Sequence, residues 1–173
     1  MIVKEQYKYS ELTSKIIGCA MTVHKALGNG FTHWFYLFFK GICDYFAIQE
    51  VIYQRALEIE FADNGIAFSR EHEMPIYYKQ QQIGTRRVDF LVEGIISVEL
   101  KAITQLEDVH LAQAINYLEA YDLEIGLLIN FGSKSLAFKR LINKKFNQQN
   151  QGNPEITKIK GSDKWKTASP KTK

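Results

Sequence analysis

The stretch RRVDFLVEGIISVELKA, residues 86–102, limits the possible folds of this chain more than any other. Val88, Phe90 and Val92 alternate with Asp89, and Val98, Leu100 and Ala102 alternate with Glu99 and Lys101. A period of two is that of a strand, whose side chains point alternately to opposite faces. Glu93-Gly94-Ile95 between the runs suits a three-residue hairpin loop, with glycine available for a positive φ. In that register Asp89 lies opposite Glu99, both apolar sets share one face, and Lys101 follows Glu99 on the other. A two-residue loop would slip the pairing by one and put Asp89 opposite Val98.

Directly opposed carboxylates have Cβ atoms about 5 Å apart and repel unless a cation lies between them. A hard ion such as Mg²⁺ would resolve the conflict, because it takes carboxylate oxygens and keeps waters for chemistry on phosphates. The rival reading is an ordinary hairpin with solvated charges, since Glu-x-Lys is common in strands. Register decides between the two.

Around this unit the chain alternates helix and strand patterns. Ser10 is placed to cap a helix carrying Leu12, Ile16, Cys19, Val23 and Leu27, which Gly28-Asn29-Gly30 stops. A second helix is predicted from about Gln49 to Ala62, with Ile52, Ala56 and Ile59 on one face. Strands follow at Ala67 to Lys79, Arg86 to Glu93 and Ile95 to Ile103. Thr104 and Glu107 have the spacing of a capping box and open a helix to about Tyr121. Its buried face is Leu111, Ile115 and Leu118; His110, Gln113 and Tyr117 form a polar stripe, read either as a solvent-facing side or as part of a site. Ile125 to Phe131 suits a strand covered on both faces, and Leu136 to Ile142 fits helix or strand.

Two segments stand apart. Thr32 to Ile48 holds Trp34, Phe35, Tyr36, Phe38, Phe39, Tyr45 and Phe46. From Ser133 onward there are 11 basic and 2 acidic residues, although the whole chain carries only +3. The expected organisation is a domain over 1–146, with the aromatic segment 32–48 inside it, and a disordered basic tail over 147–173. That tail is either simply solvated or a handle for a polyanion. The two cysteines exclude a disulfide framework, and no Cys/His spacing suggests zinc. A charged N-terminus and no apolar run of about 20 residues lead to the expectation of a cytoplasmic protein without a membrane partner.

Asp89, Glu99-Leu100-Lys101 and the downstream Gln113-x-x-x-Tyr117 resemble the PD-(D/E)XK nuclease superfamily in its RecB-like branch. More closely, KIIGCAMTVHKALGNGF, QEVIYQRALEIEF, RRVDFLVEG, SVELKA and HLAQAINYL are similar to the small bacterial GxxExxY proteins, over roughly Leu12 to Ile142. The name motif is read here as Gly30-Phe31 and then Gln49-Glu50-Val51-Ile52-Tyr53, with an insertion of 17 residues between.

The resemblance implies an α/β, restriction-endonuclease-like core: a mixed β-sheet flanked by helices, with an acidic cluster at one edge. It implies that Asp89 and Glu99 bind Mg²⁺ or Mn²⁺, that Glu50 completes or orients the metal shell, and that Lys101 positions or activates the attacking water. Gln113 and Tyr117 would hold substrate or the water network; His110 is not expected to be a ligand. The function so implied is hydrolysis of DNA phosphodiester bonds. Two rivals are a family member that binds nucleic acid without cutting it and an interaction protein that self-associates through residues 32–48.

Overall fold

The computed structural model describes residues 8–29 and 45–147. The aromatic segment therefore lies outside the described residues except for the backbone of 45–48, and the basic tail lies outside them from residue 148.

Helix α1, Ser10–Leu27, buries Ile16, Cys19, Ala20 and Val23. Ser10 does not cap it. The cap position is Tyr9, at φ 60 without a side-chain cap, and the Thr13 hydroxyl donates to the Tyr9 carbonyl at 2.7 Å, so Ser10 is already inside the first turn. Helix α2, Tyr45–Asp63, buries Tyr53, Leu57 and Phe61 completely. The expected face of Ile52, Ala56 and Ile59 is corrected: Ile59 is 61% exposed. Aromatic rings bury more area than isoleucine and alanine, and their contacts set the rotation of the helix. Tyr53 stacks on Phe131 at 4.6 Å and Phe61 meets Phe90 edge-on at 5.3 Å.

Five strands follow: β1 Phe68–Tyr78, β2 Gln81–Val92, β3 Ile96–Lys101, β4 Ile125–Asn130 and β5 Ala137–Ile142. They form one sheet in chain order, antiparallel except for β3 and β4, which are parallel. Parallel neighbours need a crossover, here α3, Asp108–Ala120. A short helix, α4, Lys144–Asn147, ends the described part. The ambiguous stretch after Leu136 is a strand because β4 offers it an antiparallel edge. The start of α3 is also corrected. Glu107 and His110 form the capping box, each side chain bonding the other's backbone, and Thr104 lies outside it.

The sheet packs helices on both faces. Ile16, Val23, Tyr53, Leu57 and Phe61 cover Phe90, Val92, Val98, Leu100, Leu127 and Ile129 on one face. On the other, Ala114 and Leu118 of α3 pack on Leu128 and Leu141. All six residues of β4 are buried, as its nearly continuous apolar sequence requires.

Beyond β4 the backbone passes very close to the end of β3. A Cβ on Gly132 would lie 2.4 Å from the Ile103 nitrogen and 2.5 Å from the Ala102 carbonyl carbon, distances only a hydrogen atom can occupy. Gly132→Ala must therefore push these segments apart. We expect a loss of about 1–3 kcal/mol, the usual cost of overpacking, read as a lower midpoint in urea unfolding with an unchanged slope. An unchanged midpoint would contradict the close approach.

Candidate active site

Val92, Leu91 and Phe90 of β2 pair with Ile96, Ser97 and Val98 of β3. This is the register that sets Asp89 against Glu99. Glu93 and Gly94 take φ 52 and 67, and the Ile95 N–H donates to the Val92 carbonyl at 2.9 Å, a tight turn that fixes the pairing. Past Phe90 and Val98 the ladder ends. The Asp89 carboxylate replaces it, taking the Leu100 N–H at 2.7 Å on Oδ2 and the Gln54 amide at 3.1 Å on Oδ1.

The fork has a matching irregularity on the other side of β2. β1 and β2 keep one register through Arg70–Phe90 and His72–Val88, yet Glu71 and Asp89 between them are not paired, and Glu71 has φ 50. A left-handed residue inside a strand inverts the alternation of faces. Before it, Arg70 reaches Glu58 of α2 at 2.8 Å; after it, Met74 and Val88 pack with Tyr117 of α3. Val88 thus does not share a face with Phe90 and Val92, a correction to the uniform alternation expected. The carboxylates lie where two inner strands part, rather than on an outer strand.

Glu99 is buried, and its Oε1 has no hydrogen-bond partner. Burial, and next the Asp89 charge, push its carboxyl up to about 8. Asp89 is also raised, by burial first, and the Leu100 N–H and the Lys101 charge oppose that rise. Glu50, on the first turns of α2, stands 3.6 Å from Lys101 Nζ; burial raises its carboxyl too, and the Lys101 charge opposes that rise. Three residues along, the Tyr53 hydroxyl donates to the Gly28 carbonyl at 2.8 Å, tying α2 to the end of α1.

The end of β3 is held from β4. Asn130, fully buried, accepts the N–H groups of Ile103 and Gly132 at 3.0 and 3.1 Å and donates to the Ile103 carbonyl at 2.8 Å. The Phe131 N–H donates to the Lys101 carbonyl at 2.7 Å. Sequence reasoning missed Asn130 and Gln54. Gln54 was within reach, being i+4 from Glu50 on one helix face; an Asn ending an apolar strand carries no such mark. Gln49, buried beside Glu50 with both amide atoms unpartnered, was missed as well.

Glu50, Asp89, Glu99 and Lys101 are therefore brought together. Gln113 and Tyr117 bond to each other at 2.9 Å, and among the described residues no hydrogen bond or ion pair joins either to the carboxylates. Tyr117 lies against Val88, next to Asp89 in sequence, under the Arg86 guanidinium. His110 is used in the helix cap.

Residues 46–141 match the family model of the PD-(D/E)XK nuclease superfamily, more than half of the chain, including Glu50, Asp89, Glu99, Lys101, Gln113 and Tyr117. The chain belongs to the PD-(D/E)XK nuclease superfamily. Its mixed sheet with helices on both faces is the α/β, restriction-endonuclease-like architecture expected of such a member. Among solved structures it is similar to that of SSO0001, with 19% identity over 64% of this chain and 63% of that one and a TM-score of 0.48. No curated protein matches.

PD-(D/E)XK nucleases generally use divalent metal ions. Among the described residues no three His, Cys, Asp or Glu side chains are grouped to enclose an ion. Enclosure is not what Mg²⁺ requires, since it is held by one or two carboxylates and keeps its waters. Asp89 and Glu99 provide such a pair, and the unpartnered buried Oε1 of Glu99 is the atom a cation would satisfy.

The raised Glu99 carboxyl has a consequence for stability. Glu99 has an ordinary value of 4.5 and is held up to about 8 in the fold. Its contribution is complete below the unfolded value and is lost as pH rises through the folded one. With chelator present, the melting temperature should fall between about pH 4.5 and pH 8, and the fall should shrink in Glu99→Gln. Equal pH dependence in both proteins would contradict the raised Glu99 carboxyl.

Proposed function

We propose that this protein is a divalent-metal-dependent nuclease that hydrolyses DNA phosphodiester bonds, using Mg²⁺ or Mn²⁺. The observation that carries the reading is the Asp89–Glu99 pair at the fork of β2 and β3, with Lys101 two residues on and within ion-pair distance of Glu50. Family membership supports it.

Asp89 and Glu99 would hold the cation, which when bound supplies a positive charge to a phosphate oxygen and acidifies a water. The remaining roles belong to the protein's own side chains. Asp89 is fixed by Leu100 and Gln54, so the pair cannot swing away. Lys101, a cation with three donors and no acceptor, stabilises the negative charge that grows on the phosphate and orients the attacking water. Glu50 holds the Lys101 ammonium and is the nearest acceptor for a proton leaving it. In the reaction the water gives up a proton to solvent as its oxygen bonds to phosphorus, the bond to the leaving oxygen breaks, and that oxygen takes up a proton from a neighbouring water. Gln113 and Tyr117 are proposed to contact substrate beside the carboxylates.

The test is cleavage of labelled DNA, single-stranded and duplex, with Mg²⁺, Mn²⁺ or chelator. Asp89→Asn should lower the rate by at least about a hundredfold and weaken the response to metal; Lys101→Ala should lower it as much while metal still raises the melting temperature. Cleavage insensitive to chelator, or equal in Lys101→Ala and parent, would refute the mechanism. Metal-dependent DNA binding without cleavage would favour the binding-only member of the family.

A further inference from the structure

β1 and β2 are much longer than the sheet needs. β2 pairs with β3 only from Phe90 to Val92, so the hairpin before the fork continues as a two-stranded ribbon. Residues 81–87 are all exposed, as are Tyr77, Tyr78 and Ile83 near the tip, each more than 60%. From Met74 to Val88 the ribbon holds Lys79, Arg86 and Arg87 and no acidic residue, whereas the chain up to Gly132 is acidic overall.

A ribbon with two free edges ordinarily invites another strand. This one discourages it. Pro75 has no N–H to offer on the outer strand, the register shifts between Ile76 and Tyr77, and the uncompensated cations repel a second copy. The same charge attracts a polyanion. Lys79 lies over the Tyr78 ring at 5.4 Å and Arg86 over the Tyr117 ring at 4.7 Å, so two cations are steadied by aromatic faces without losing their charge to a carboxylate. Arg87 stands 3.6 Å from Glu71 at the base. Moreover, the ribbon leads into the site, ending at Asp89.

We propose that the ribbon of residues 74–88 is an arm that lies along duplex DNA, in the major groove, and holds its phosphates so that the strand reaches the Asp89–Glu99 fork. This rests on the nuclease reading and adds the element that would position its substrate. A two-stranded ribbon fits a groove about 12 Å wide. From Gln81 to Asp89 the strand spans about 26 Å, roughly eight base pairs of DNA.

The experiment measures binding separately from cutting. A fluorescent duplex of about 20 base pairs is titrated with full-length protein in an Asp89→Asn background over a series of salt concentrations. Adding Lys79→Ala and Arg86→Ala should weaken binding and make the log–log salt dependence shallower by about one for each cation removed. Tyr77→Ala with Tyr78→Ala should weaken it without that change in slope. In an otherwise unaltered chain, Lys79→Ala should raise KM for long DNA and leave the maximal rate unchanged. Variants that melt like the parent and bind with the same affinity and salt slope would overturn the proposal, as would a parent that binds no duplex. So would sedimentation showing that the tip substitutions dissociate a dimer. If the wild type cuts no DNA but the arm variants still lose affinity, the nuclease reading fails and the arm stands. If the wild type cuts and the variants bind as the parent does, the arm alone fails.

Discussion

The Asp89 carboxylate takes the Leu100 N–H where the ladder between β2 and β3 ends. A backbone donor buried between strands must find an acceptor, and supplying one from a side chain lets the strands part without leaving it unsatisfied. The opening so made is where Glu99 and Lys101 point. Without that bond the two strands would either zip further, removing the gap, or leave an orphan N–H at a cost of about 1–3 kcal/mol. The site is thus a consequence of how the sheet stops pairing.

Other elements keep the fork in place. α2 approaches it with Glu50 and Gln54 one turn apart, and its depth is set by Tyr53, which stacks on Phe131 and bonds to Gly28. From the opposite side Asn130 and the Gly132 contact pin the segment after Lys101. Tyr53 lies three residues from Glu50 and Ile103 two from Lys101, so small changes in packing reach the site directly. Shifts of about 1 Å in positioning groups cost on the order of a hundredfold in rate.

Much of this was legible in the sequence, for reasons that differ by element. The hairpin register followed from alternation and a Glu-Gly turn, both local properties, and it placed Asp89 against Glu99 correctly. The doubly covered β4 followed from its unbroken apolar run. What escaped was set by contacts distant in sequence. The rotation of α2 depends on rings from β2 and from the end of β4. The inversion at Glu71 and Asp89 depends on a left-handed residue that nothing in the text of β1 announces, since Glu71 is neither glycine nor asparagine. The resemblance carried Glu50 onto the site across an interrupted motif, and the structure sets it beside Lys101.

If the buried Asp89–Glu99 pair is the cation site proposed above, metal and proton compete for it. Titration calorimetry with Mn²⁺ or Mg²⁺ at pH 7, in buffers of different ionisation enthalpy, tests it by counting protons. Because Glu99 is held up to about 8, binding must displace its proton, and the account predicts release of about one proton per ion, abolished in Glu99→Gln. Binding without proton release, or no binding at all, would contradict it.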